Sequence, residues 1–257
     1  MEYRQSFRAA ARILGPALVA GDDAEAHERV LAARDRAEQD TDDTGLRVEG
    51  LVVDGVPYPD LVAAPGERVA VSSRDPHRVE AVLAALCGTR EHTGTVMLAG
   101  RLTSDVPSAV RRTLVGSAAR GWALERGTVE RSVRYRDPAS TTPVEETLRH
   151  VGLDVVLSDL PEGARTRLRR GGEPLSLSQR GRVLLARAVH GSPPLVVLDH
   201  LDGQLDPGGR RVMSAVIAAQ RGVVVLAGDD LATLVPGHRC WDLDALAAHP
   251  PGGLVRT

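Results

Sequence analysis

Charge chemistry in this chain falls to arginine, histidine and the carboxylates. Its 32 basic residues include no lysine, so it offers no Schiff-base nitrogen, no lysine general base and no lysine to bridge phosphates. Arginine can still grip an oxyanion bidentately. One stretch brings two arginines together: Ser73-Arg74-Asp75-Pro76-His77-Arg78-Val79-Glu80. Asp75 and Glu80 oppose an anion there, and Pro76 removes one backbone N–H. A phosphate grip by Arg74 and Arg78 and a solvated turn are the two readings of this stretch.

Composition sets broader bounds. The chain has 257 residues and 42% hydrophobic content, enough for a real core in one large domain or one and a half. A net charge of −2 gives no general attraction to nucleic acid or an anionic membrane. Aromatic residues make up 2%, so Val, Leu and Ala must fill the core and few rings can stack on bases. No apolar run approaches the roughly 18–20 residues of a spanning helix. Two cysteines, Cys87 and Cys240, in a chain without a leader-like start predict a reducing compartment and no disulfide framework. Cys87 lies in an apolar helical stretch and is expected in the core. Asparagine is absent, which excludes asparagine-linked glycosylation.

The elements that must position these groups are legible as patterns. Residues 2–20 carry Phe7, Ala10, Ile13, Leu14, Ala17 and Leu18 at helical spacing, with a break expected at Gly15-Pro16. A polar helix is predicted over about 23–38, then an exposed acidic linker at Asp40, Asp42 and Asp43. From Leu46 onward, short aliphatic runs follow Gly or Pro: Val69–Val71, Thr95–Leu98, Leu195–Leu198 and Val223–Leu226. These predict buried strands of a mostly parallel sheet. The middle, roughly 105–190, reads as mainly helical.

The most informative stretch runs from Asp159 to Asp206. It resembles the nucleotide-binding domain of ATP-binding cassette (ABC) transporters, of the exporter type. Leu175-Ser176-Leu177-Ser178-Gln179 stands where that family has its LSGGQ signature, and Arg182 with Ala186-Arg187-Ala188 matches the following helix. Leu195–Asp199 is similar to the Walker B strand, Leu205-Asp206 to the end of the D-loop, and Thr166–Gly172 to the exporter X-loop. Upstream, Gly127–Val133, Gly66–Val71 and Leu86-Cys87-Gly88 continue the likeness in order. Downstream, Leu231–Asp244 resembles the segment after the H-loop. Residues 2–20 resemble the tail of an exporter's last membrane helix.

The resemblance implies an α/β fold: a phosphate-loop-type ABC ATPase core with a mostly parallel sheet, an antiparallel β edge and a helical subdomain. Residues 1–44 would be a helical linker resembling a membrane-domain tail, and 45–257 the nucleotide-binding-like domain, with the helical subdomain at roughly 105–190. It also assigns positions. The phosphate-loop glycines fall on Ser73 and Arg78, the lysine on Val79 and the magnesium-holding hydroxyl on Glu80. The Q-loop glutamine falls on Arg120, the catalytic glutamate on His200 and the H-loop histidine on Asp229. Tyr58 is the nearest ring for adenine. Ser176, Gln179, Asp199 and Asp206 match the family. No catalytic or metal residue is therefore expected, although a hydrogen-bonded His200–Asp229 pair could act as a base.

The implied function is that of a degenerate cassette, a pseudo-ATPase serving as structural or regulatory partner of an intact cassette, a membrane domain or both. No cofactor of its own is expected. ATP and magnesium would enter only at a partner's site, through Ser176 and Gln179. The chain would be cytoplasmic or peripheral at the inner face of a membrane, touching it only through a partner. One alternative is a soluble pseudo-ATPase scaffold or allosteric partner of another enzyme. Another is an active ATPase with an arginine-based phosphate loop. A nucleic-acid role ranks last, given the charge and the scarce aromatic residues.

Overall fold

The computed structural model describes residues 45–245. The helices expected at 2–20 and 23–38, and the acidic run at Asp40, Asp42 and Asp43, lie outside the described residues. Their chain order begins β1 (Leu46–Val53), β2 (Val56–Pro57), β3 (Leu61–Ala63), β4 (Arg68–Ser72), α1 (Pro76–Leu86), β5 (Thr93–Leu98) and β6 (Arg101–Leu102). Then come α2 (Ser108–Leu114), β7 (Val115–Ala119), β8 (Gly127–Thr128), α3 (Val129–Arg134), α4 (Val144–His150), α5 (Asp154–Ser158) and β9 (Arg167–Leu168). The last are α6 (Leu177–Val189), β10 (Leu195–Asp199), α7 (Pro207–Ala219), β11 (Val223–Ala227), α8 (Leu231–Leu234) and β12 (Arg239–Asp242).

Five strands make a sheet in the order β12-β4-β11-β10-β7, and every neighbouring pair in it is parallel. Both of its faces are covered, which is why its central strands read as unbroken aliphatic runs. Val196, Leu198, Val224 and Leu226 pack with Leu184 and Leu185 of α6 and with Met213 and Ile217 of α7. The alternate residues Leu195, Val197, Val223 and Val225 are equally buried. Each such side chain contributes roughly 1.5–3 kcal/mol on burial. A second, antiparallel sheet runs β2-β1-β5-β6, with β3 also on β1, and α1 touches both sheets. β8 and β9 form a separate antiparallel pair.

Two strands differ from the sequence reading. Thr93–Leu98 belongs to the antiparallel sheet, pairing with β1. Its inner positions alternate in burial, so an aliphatic run did not mean a parallel strand. Val115–Ala119 lies in the stretch read as mainly helical, yet forms an edge of the parallel sheet. Its sequence, Val-Gly-Ser-Ala-Ala, lacks bulk because α6 comes close: a Cβ on Gly116 would overlap the Ala188 carbonyl. Cys87, expected in the core, is half-buried at the C-cap of α1, and burial pushes its thiol up to about 12.

Arginine closes the joints between layers. Arg68 on β4 donates to the carbonyls of Ile217 (2.7 Å), Ala218 (2.7 Å) and Gln220 (2.8 Å), satisfying the open end of α7. Arg136 is buried and donates to the carbonyls of Arg112 (3.0 Å), Thr113 (2.6 Å) and His190. His190, 1% exposed, shares a 2.8 Å hydrogen bond between Nδ1 and Thr147 Oγ1, while its Nε2 is buried without a hydrogen-bond partner among the described residues. Burial, and then the Arg136 and Arg134 charges, push its pKa down to about 4.

That shift has a direction in stability. The folded protein keeps the His190 ring neutral, whereas the unfolded chain takes up a proton near the ordinary histidine value. Stability should be flat above about pH 6.5 and fall by up to about 3 kcal/mol towards pH 4. His190→Gln should remove this component. Denaturant unfolding across that pH range measures it, and an unchanged slope in the variant would contradict the assignment.

Candidate phosphate turn and the sheet edge around it

Ligands of open parallel sheets bind beyond the carboxyl ends of the strands. Here that edge gathers the turn after β4, Arg120 after β7, His200 after β10, Asp229 after β11 and Asp244 after β12. The register pairs Asp242 with Ser72, so chain continuing past β12 runs beside chain continuing past β4. Asp244 therefore meets the turn. Its Oδ1 accepts from the Ser73 hydroxyl at 2.8 Å, and its Oδ2 from the Arg74 N–H at 2.7 Å. Those two donors hold its carboxyl below the usual aspartate range, the Arg74 N–H contributing most.

The turn itself is short because a helix replaces its second half. Asp75 caps α1 by accepting from the His77 N–H at 2.9 Å, and Pro76 follows at the first helical position. Val79, where the resemblance would put a lysine, is thus a helical residue buried in the core, 7% exposed. Arg78 folds back beside Asp244, its Nε 3.7 Å from Asp244 Oδ1. It donates to the carbonyls of Leu243 (2.6 Å) and Pro57 (3.1 Å), and its guanidinium lies 4.9 Å over the Tyr58 ring. Tyr58, the candidate adenine ring, is 2% exposed beneath it. Arg74 and Glu80 are exposed.

His200 and Asp229 do not bond to one another. His200 Nδ1 pairs with Asp199 Oδ1 at 2.7 Å, and the His200 backbone is left-handed at φ 47°. Asp229 faces Arg120 across 3.8 Å, an exposed pair that contributes at most about 1 kcal/mol. The Asp229 N–H donates instead to Asp202 Oδ2 at 3.0 Å. Asp202 is 3% exposed, and its other oxygen has no hydrogen-bond partner among the described residues.

Ser176 and Gln179 satisfy one another. The Ser176 Oγ accepts from the Gln179 N–H (3.2 Å) and the Gln179 Oε1 from the Ser176 N–H (2.8 Å), a capping box that starts α6. Asp206 caps α7, accepting from the Gly209 N–H at 2.6 Å and from Arg182 at 3.2 Å; the Gly209 bond is the main reason its carboxyl is held low. Leu177 is 58% exposed and Trp122 45%. Gln204 ties their segments together, accepting from the Gly121 N–H (3.0 Å) and donating to the Leu177 carbonyl (3.3 Å). Sequence reasoning brought the edge positions together but missed Asp244, Asp202 and Gln204 as partners. For Asp244 the signal was Trp241-Asp242-Leu243-Asp244, an acid in phase with a strand beside the turn.

Known proteins agree with this frame. No family model matches the chain. It is 31% identical over 139 residues to the type I secretion system ATP-binding protein PrsD of Rhizobium meliloti, covering 52% of this chain and 24% of that protein. It is 29% identical over 139 residues to human ATP-binding cassette sub-family B member 6, covering 52% of this chain and 16% of that protein. It is 29% identical over 150 residues to the ATP-dependent lipid A-core flippase of Cupriavidus pinatubonensis, covering 57% of this chain and 24% of that protein. Each match thus spans a quarter or less of the relative. The fold matches a bacterial Atm1-family ABC exporter with ATP bound, with a TM-score of 0.69 and 19% identity over 79% of this chain and 38% of that one. The relatives are ATP-binding and exporter proteins of ABC transporters, and the fold is ABC ATPase-like.

Removing the Asp244 carboxylate should loosen the turn. In Asp244→Ala, amide exchange at Arg74 should accelerate and the unfolding midpoint should fall. Acid should do the same to the parent chain, because a depressed carboxyl keeps its bonds above its ordinary value of 3.8 and loses them as pH drops below it. An Arg74 amide equally protected in parent and variant would contradict this account.

Proposed function

We propose that the chain is a degenerate exporter-type nucleotide-binding domain, acting as structural or regulatory partner of an intact ABC cassette or a membrane domain. The observation that carries this reading is the closed phosphate turn. A nucleotide's phosphates need convergent N–H groups and a cation. Here the Arg74 N–H and the Ser73 hydroxyl hold Asp244, and the lysine position is a valine packed in the core. ATP with magnesium does not fit such a turn, because phosphate would meet a carboxylate already in place. No step of hydrolysis is therefore assigned to this chain.

The likeness to ATP-binding and exporter proteins supports a role beside a transporter. The exposed Leu177 and Trp122, joined through Gln204 on the face that carries the signature position, support pairing with another protein there. A partner's ATP would then meet a surface whose Ser176 and Gln179 are occupied with each other. No described helix is long and apolar enough to cross a membrane. Contact with one would run through the partner. The chain would work in the cytoplasm or at the inner face of a membrane.

An arginine-based ATPase is the rival reading. Arg78 is committed to two carbonyls, to Tyr58 and to Asp244, which leaves Arg74 as the exposed arginine of the turn. Calorimetry with Mg-ATP should give no heat and no thermal shift at millimolar nucleotide. A dissociation constant well below about 1 mM, lost in Arg74→Ala, would overturn the proposal; ligand at a hundred times that constant would stabilise the fold by roughly 2.7 kcal/mol.

A further inference from the structure

α7 and α8 border an open cleft of about 570 Å³, within the range of a small-molecule site. Asp202 lines it from the single turn Leu201–Gln204 that precedes α7. Arg210, Arg211 and Ser214 line it from α7, and Asp230 and Thr233 from the α8 side. Ser214 follows Arg210 by four residues and Arg211 by three, the helical spacing that groups side chains together. No residue of the phosphate turn and no aromatic residue takes part.

The charges of this lining are unmet. Asp202 is 3% exposed, and its Oδ2 accepts from the Asp229 N–H at 3.0 Å. Its Oδ1 is buried with no hydrogen-bond partner among the described residues. Gly228 makes room for that oxygen, since a Cβ there would lie 2.8 Å from it. A buried carboxylate oxygen without a donor is costly, and folds meet such groups with a ligand, an ion or water. Asp230 caps α8 through Oδ1, which accepts from the Thr233 N–H at 3.4 Å. Arg210 and Arg211 are exposed, and their guanidiniums make no ion pair among the described residues.

We propose that this cleft binds a small zwitterion of the α-amino-acid class. Its ammonium donates to Asp202 and Asp230, and its carboxylate is held by Arg210 and Arg211. An ammonium supplies the donor that Asp202 Oδ1 lacks, and a guanidinium fork matches a carboxylate. The soft χ2 torsion of aspartate lets the buried oxygen turn towards the cleft as the ligand enters. Simpler ligands meet opposition: an anion alone faces two carboxylates, and a cation alone faces two guanidiniums. The hydroxyls of Ser214 and Thr233 can serve the ligand's remaining polar atoms, and Leu234 offers an apolar wall. Neither the phosphate turn nor a protein partner is needed for such binding.

The test uses the full chain without nucleotide. Each proteinogenic L-α-amino acid is screened at millimolar concentration by thermal unfolding, and calorimetry gives the affinity of any that stabilises the fold. At least one should raise the unfolding midpoint saturably, while its methyl ester and its N-acetyl derivative should not. Its affinity should fall roughly tenfold or more in Asp202→Asn and in the double variant Arg210→Gln, Arg211→Gln. The two arginines are exposed, so the double variant stands in if Asp202→Asn does not fold. Affinity should be unchanged in Arg126→Gln, an exposed arginine that does not line the cleft. The proposal is overturned if no amino acid stabilises the fold, if the N-acetyl derivative binds equally well, or if Arg126→Gln causes an equal loss. Stabilisation by calcium or magnesium chloride, with no response to any amino acid, would overturn it as well.

Discussion

Donors left at the end of a parallel strand must find an acceptor, and in this chain Asp244 provides it. The pairing of β12 with β4 fixes where that carboxylate falls, and the carboxylate fixes the turn after β4. The rest of the edge follows. With the turn held, α1 can begin at Pro76, Val79 enters the core and Arg78 folds back over Tyr58. The turn is thereby a joint between two strands. The same hydrogen-bond donors that would suit a phosphate are satisfied by a group that the chain carries with it.

Arginine has a matching role across the fold. Arg68, Arg78, Arg136 and Arg180 all donate mainly to backbone carbonyls at the ends of helices and loops. A guanidinium can reach several carbonyls at once, which an ammonium does less well. A chain without lysine thus commits much of its positive charge to architecture. Arg126, Arg167 and Arg169, around β8 and β9, stand apart as exposed side chains.

The sequence made the parallel strands at 69–71, 195–198 and 223–226 legible, since burial on both faces demands unbroken aliphatic runs. It concealed Val115–Ala119, where close approach of α6 requires small residues and erases the hydrophobic signal. Position assignments at the edge were legible too, because each follows a strand. Partnerships were not. His200 and Asp229 were natural candidates for one another by type, yet each had a nearer partner, in Asp199 and in the Asp202 and Arg120 groups. Which of several compatible hydrogen bonds forms depends on loop paths of a few ångströms, and spacing along the chain carries no such information.

The capping box at the start of α6 bears on how such sequences are compared. Ser176 and Gln179 would each count as a retained nucleotide contact in any scan of motif letters. In the folded chain they spend their hydrogen bonds on one another, at the point where a thirteen-residue helix must begin. Helix initiation alone is reason enough to keep a serine and, three residues later, a glutamine. Letters preserved for the sake of the backbone are thus indistinguishable, on paper, from letters preserved for a substrate.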